Sequence, residues 1–113
     1  MAVRGGLCLF EVSFRVARDQ LFEELRLLRA TLVIVSSNIP LGKDGLPYAS
    51  YREPEDPGVV VYFQLTKTAH VLACDRWNCV KDNLRAIGLH IAAIRGIEPW
   101  GVGSVEQVFM GYL

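Results

Sequence analysis

The chain has 113 residues, 51% of them hydrophobic and 21% charged, with twelve basic residues balanced by twelve acidic ones. That length holds one domain with a real core and excludes two. Zero formal charge weighs against a general nucleic-acid binder, which carries a basic excess. So large an apolar share in so small a domain points to a partner-facing surface. Three cysteines, Cys8, Cys74 and Cys79, are an odd number without a paired framework, which fits a reducing compartment inside the cell. The apolar N-terminal run is too short for a signal peptide and is broken by Glu11, and no stretch approaches a membrane span. The expectation is a cytoplasmic protein with no membrane association.

In chain order, Leu7 to Val12 is apolar but for one acid, which predicts a short strand at a sheet edge. Ser13 is a candidate N-cap. Phe14, Ala17, Leu21, Leu25 and Leu28 then fall on one face of a helix running to Arg29. Arg15, Arg18, Arg26 and Arg29 form a second row, partly neutralised by Asp19, Glu23 and Glu24 at helical spacing. Thr31 to Val35 is a β-branched, apolar strand. From Asn38 to Gly58, four prolines and the Asp44-Gly45 turn signal predict a connection of about twenty residues, where most run to about six.

Asp56-Pro57-Gly58 then opens Val59-Val60-Val61-Tyr62-Phe63, which reads as a strand with both faces buried. A turn at Thr66-Lys67-Thr68 and a second run, His70 to Cys74, complete a hairpin. Asp75 is placed to cap a helix opening at Asp75-Arg76-Trp77. Val80, Leu84, Ile87, Ile91 and Ile94 form its apolar stripe. Ser104 and Gln107 have capping-box spacing and open a short terminal helix containing Val108 and Phe109. The order predicts a single α+β domain over 1–113. Its mixed four-stranded sheet is a right-handed βαβ unit followed by a β-hairpin, with two main helices on one face and a short C-terminal helix.

Few constellations carry chemistry. His70, Cys74, Cys79 and His90 are soft ligands, but their spacing matches no common zinc site, and small buried cysteines are ordinary core residues. Asp56, Asp75 and Asp82 could hold magnesium for a nuclease, against a plainer account of turn, cap and first-turn acid. Ser36, Ser37 and Cys74 lack a base in any nucleophile context. Lys81, Arg85 and Arg95 share a helix side with Gly88 and Ala92, a smooth basic groove or simply a solvated face. Trp77 and Trp100 are either exposed anchors or plugs at the core ends.

A resemblance enters on Glu24-Leu25-Arg26-Leu27-Leu28, Ser36-Ser37-Asn38-Ile39-Pro40-Leu41 and Asp44-Gly45-Leu46-Pro47-Tyr48-Ala49. It continues through Asp56-Pro57-Gly58-Val59, Ala73-Cys74-Asp75-Arg76-Trp77, Asp82-Asn83-Leu84-Arg85-Ala86-Ile87, Arg95-Gly96-Ile97-Glu98 and Trp100-Gly101. These stretches resemble a family of uncharacterised proteins of bacteriophages, prophages and other proteobacterial mobile elements, often labelled J-domain-containing proteins. The match is to the region before the J-domain. This chain has no His-Pro-Asp signature, so the resemblance implies a source in a mobile element and a bacterial host cell, not a co-chaperone activity.

The expectation is a small non-enzymatic protein of a phage or mobile element that binds a host or phage protein complex. Its sharper form is an anti-CRISPR-like inhibitor of host defence acting by steric occlusion. Tyr48, Tyr51, Arg52, Glu53 and Glu55 in the long loop, with Arg76 and Trp77, are the residues expected to contact the partner. No catalytic residue, metal or cofactor is expected, and a homodimer is left open. The alternatives are a metal-dependent nucleic-acid enzyme built on Asp56 and Asp75, and a nucleic-acid-binding accessory domain.

Overall fold

A computed structural model describes residues 8, 10, 12–45, 47, 52–97, 100–101 and 103–110. Helix α1 (Phe14–Leu27) comes first, followed by β1 (Thr31–Ser37), β2 (Val59–Leu65), β3 (Thr68–Cys74), α2 (Val80–Arg95) and α3 (Val105–Met110). The fold is α+β, but the sheet has three strands, in the order β1-β2-β3, all antiparallel. The mixed four-stranded sheet and its βαβ start are therefore corrected. Positions 8, 10 and 12 of the expected first strand lie outside any strand, and its remaining positions fall outside the described residues. Tertiary ties hold this segment elsewhere. Cys8 is disulfide-bonded to Cys79, and the Phe10 N–H donates to the Asp82 carboxylate at 3.0 Å. With no earlier strand in the sheet among the described residues, β1 has none there to lie parallel to and pairs with β2 alone.

The helices form where periodicity places them. Ser13 caps α1, its Oγ accepting from the Val16 N–H at 3.1 Å. The helix ends two residues short of Arg29, which takes a left-handed φ of 64°. There the Ala30 N–H reaches the Leu25 carbonyl and the Arg29 N–H the Arg26 carbonyl, a Schellman closure made without glycine. Ala17, Leu21, Leu25 and Leu28 are buried as their spacing predicts, and so is the whole α2 stripe from Val80 to Ile94. Gly88 sits against α1, where an added Cβ would lie 3.5 Å from the Leu21 Cα. A methyl group in that seat would make only ordinary contact with α1. The capping box at α3 is reciprocal: Ser104 N–H donates to Gln107 Oε1 at 2.9 Å, and Gln107 N–H to Ser104 Oγ at 3.2 Å.

The start of α2 departs from expectation. Its N-cap is Cys79, which offers no side-chain bond, and Asp75 lies five residues before the helix. The Val80 N–H is instead taken by the Glu53 carboxylate at 3.0 Å, from the far end of the long loop. Residues 75–79 are folded back by Asn83, fully buried. Its Oδ1 accepts from the Trp77 N–H, and its amide donates to the Pro57 and Trp77 carbonyls. A buried amide placed this way satisfies backbone groups that a solvated turn would leave to water.

The inner face of the sheet carries Val59, Val61, Phe63, Leu65, His70 and Leu72, and both long helices lie on that side. The buried apolar residues form one continuous cluster. His70, 5% exposed, stacks beside the Phe63 and Phe109 rings, with centroids 5.7 and 5.5 Å away.

Candidate protein-binding surface

The side chains of β2 alternate, buried at Val59, Val61, Phe63 and Leu65 and open at Tyr62. The expectation that both faces of this strand are buried is thereby corrected. The two long helices cover one side of the sheet only. On the other side the register aligns Ile34 with Tyr62 and Tyr62 with Val71, one apolar row across all three strands. These residues are 62%, 47% and 44% exposed, and Leu32 beside them is 71% exposed. Val60 and Ala73, which are paired, extend the face, and Ser36, Gln64 and Ala69 complete it. None of these outward residues is charged.

At one end this face runs into a polar cleft of about 430 Å³ lined by Ser36, Ser37, Asn38, Asp56 and Asp75 among others. Asp56 and Asp75, both exposed, flank Gly58. The Asp56 Oδ1 accepts the Gly58 N–H at 3.0 Å, and a Cβ on Gly58 would lie 3.4 Å from the Asp75 Cβ. The sequence therefore marked two residues that do converge. Among the described residues, the one set of three His, Cys or carboxylate side chains close enough to share an ion is Cys8, Cys79 and Asp82. Two of those three are sulfurs already bonded to each other.

The residues expected to bind a partner are divided by the structure. Tyr48 and Tyr51 lie outside the described residues. Arg52 and Glu55 are exposed, and Glu53 serves the α2 N-terminus. Trp77 is half-buried, with the Phe10 ring edge-on at 6.2 Å and the Arg76 guanidinium 4.8 Å from its own ring centroid. Glu53, Arg76 and Trp77 thus gather at the foot of α2. The long loop does not stand free: Arg18 donates to the Asp44 and Gly45 carbonyls, and Ile39 and Pro57 are buried. Trp100 is 79% exposed, so it plugs nothing.

The remaining candidates separate. His70 is buried and His90 exposed, and Cys74 donates its thiol to Asn83 Oδ1, so the zinc set does not assemble. The basic groove on α2 is filled by α1, with Gly88 against Leu21 and Arg95 paired to Glu24 at 2.8 Å. The reading of unpaired cysteines holds for Cys74 alone. Cys8 and Cys79 are 71 positions apart, and nothing local marks them as a pair. The open face did leave a signal, the alternation through Val60, Tyr62 and Gln64 and through Ala69, Val71 and Ala73. No helix among the described residues is long and apolar enough to cross a membrane. Comparison of the chain with protein-family models, with curated proteins and with solved structures finds no match.

Proposed function

We propose that this is a non-enzymatic protein that acts by binding another protein through the open face of its sheet. One observation carries the proposal: an uncharged row, Ile34–Tyr62–Val71, lies in solvent across the full width of the sheet. A contiguous apolar patch on so small a chain marks a contact surface. The Asp56 and Asp75 carboxylates at its end supply a polar rim and favour a partner with a basic residue there. Occlusion of a bacterial defence complex, inside the host cell, is the sharper form of the same proposal. That form rests on the resemblance of the quoted stretches to mobile-element proteins.

Pull-down from a bacterial lysate tests it. The wild-type chain is expected to retain a stoichiometric partner that the double variant Ile34→Lys, Tyr62→Lys releases while keeping its circular dichroism. Equal recovery by both chains, or repeated recovery of nothing, counts against the proposal. Alkylation of thiols in intact cells tests the compartment: modified Cys8 and Cys79 indicate reducing surroundings, and a surviving disulfide indicates oxidising ones.

A second reading, a metal-dependent nuclease, is favoured only by the meeting of Asp56 and Asp75 in one cleft. Incubation with DNA and RNA plus magnesium or manganese decides it, and cleavage has to vanish in Asp75→Asn.

A further inference from the structure

The two edges of the sheet are built differently. On β1 the register slips between Thr31 and Ile34, and Leu32 takes a φ of 52° within the strand. Such irregularities turn an edge away from an incoming strand. The other edge, β3, has neither. Thr68 through Cys74 pairs with β2 in unbroken register. It contains no proline and no charged side chain, the usual means of blunting an edge.

The turn before β3 fixes which backbone groups face outward. Thr66 and Lys67 both have positive φ, 47° and 68°, as in a two-residue hairpin turn. Leu65 and Thr68 then exchange both backbone bonds, and antiparallel alternation makes His70, Leu72 and Cys74 the other residues bonded to β2. Ala69, Val71 and Ala73 direct their N–H and C=O groups to the outer edge, which pairs with no further strand among the described residues. Beside that edge lies a groove of about 500 Å³ between β3 and α2. Leu72, Trp77, Ala86 and Ile87 give it apolar walls, Arg76, His90 and the free Cys74 thiol are its charged or titratable members, and no carboxylate lines it.

We infer that the free edge of β3 accepts an added strand: an extended, apolar segment of another protein whose acidic side chain meets Arg76. Main-chain bonds to Ala69, Val71 and Ala73 hold the segment, and the groove takes every second side chain. The Arg76 guanidinium, stacked on Trp77, sets a positive charge at the Cys74 end. A second copy of this chain fits less well. Of the strands, α2 packs chiefly on β3. A twofold antiparallel β3–β3 pairing would set two such helices side by side on one face of the joined sheet, over strands only about 5 Å apart. Packed helices need axes about 8–10 Å apart. One bare strand has room there.

The probe is a fluorescein-labelled peptide alternating valine and threonine and ending in two glutamates, read by anisotropy and by amide hydrogen exchange. In the protein alone, the Ala69, Val71 and Ala73 amides are expected to exchange freely. With peptide bound they slow about tenfold or more. Ala73→Pro removes an outward donor without touching the β2 ladder and is expected to weaken binding about tenfold. Arg76→Glu reverses the preference toward a lysine-ended peptide. Should Ala73→Pro not fold, alternate N-methylation of the peptide tests the same bonds from the other side. Four results overturn the inference: no binding at millimolar peptide, binding that leaves the three amides unprotected, indifference to Ala73→Pro and N-methylation, or protection without peptide in a protein of dimeric mass. Partner capture through Ile34 and Tyr62 is scored separately, so either surface can fail alone.

Discussion

Within β2, neighbouring residues live in opposite surroundings. Val61 and Phe63 are closed off beneath the helices, while Tyr62 between them looks into solvent. The same backbone supports both, so the difference lies in what covers each side. Among the described residues, two long helices and one short one cap one side of three strands and leave the other open. The covered side holds the molecule together, and the open side is the one proposed to meet a partner.

That contrast can be broken most forcefully from beneath. Phe63→Ala removes a ring that meets Phe109 at 5.5 Å and is expected to cost about 3–5 kcal/mol, read as a fall in the urea midpoint. Next comes the seat of the helices. Gly88→Leu forces α2 off Leu21 and is expected to cost about 1–3 kcal/mol. Gly88→Ala brings only ordinary contact there and is expected to stabilise by up to about 1 kcal/mol through helix propensity. Opposite signs from these two substitutions would sharpen the account of that contact; equal losses would refute it. On the bare side, Ile34→Lys is expected to move thermal stability by no more than about 0.5 kcal/mol while abolishing partner capture. A large loss of stability would mean that the face is not bare.

The smallest effect is expected on the outer face of α1. The hydrogen bond and charge of Arg26 hold the Glu23 carboxyl below its ordinary range, and the same contact raises Arg26. A lowered folded-state value makes the pair stabilising above the ordinary glutamate range and erases its contribution as pH falls through the folded value. Both side chains are exposed, so solvent screens the pair. Glu23→Gln is therefore expected to flatten the acid limb of the stability curve only slightly, and titration of the denaturation midpoint across that range checks it.

How much of this was legible in the sequence depends on the range over which each decision is made. The α1 face, the α2 stripe, the hairpin and the α3 capping box rest on spacings within a few residues, and each formed as read. The first strand failed because an apolar run looks the same whether it joins a sheet or is held by Cys79 and Asp82, partners more than seventy positions away. Strand direction failed with it: the expected parallel pair is Leu7 to Val12 beside Thr31 to Val35, and without the first strand only the antiparallel pairs remain. Asp75 has the chemistry of a cap, but Asn83 folds its segment back and Glu53 takes the helix N–H from a distance. Of the candidate contact residues, Glu53 and Trp77 were conspicuous for a structural reason. The residues of the bare face are ordinary strand formers, so their types gave no alarm.

The Cys8–Cys79 bond closes more than half of the polypeptide into a ring. A protease that severs the backbone once inside the 38–58 segment therefore produces two pieces still joined through sulfur. Such a nicked molecule keeps its mass on a non-reducing gel and falls apart into two bands only when thiol is added.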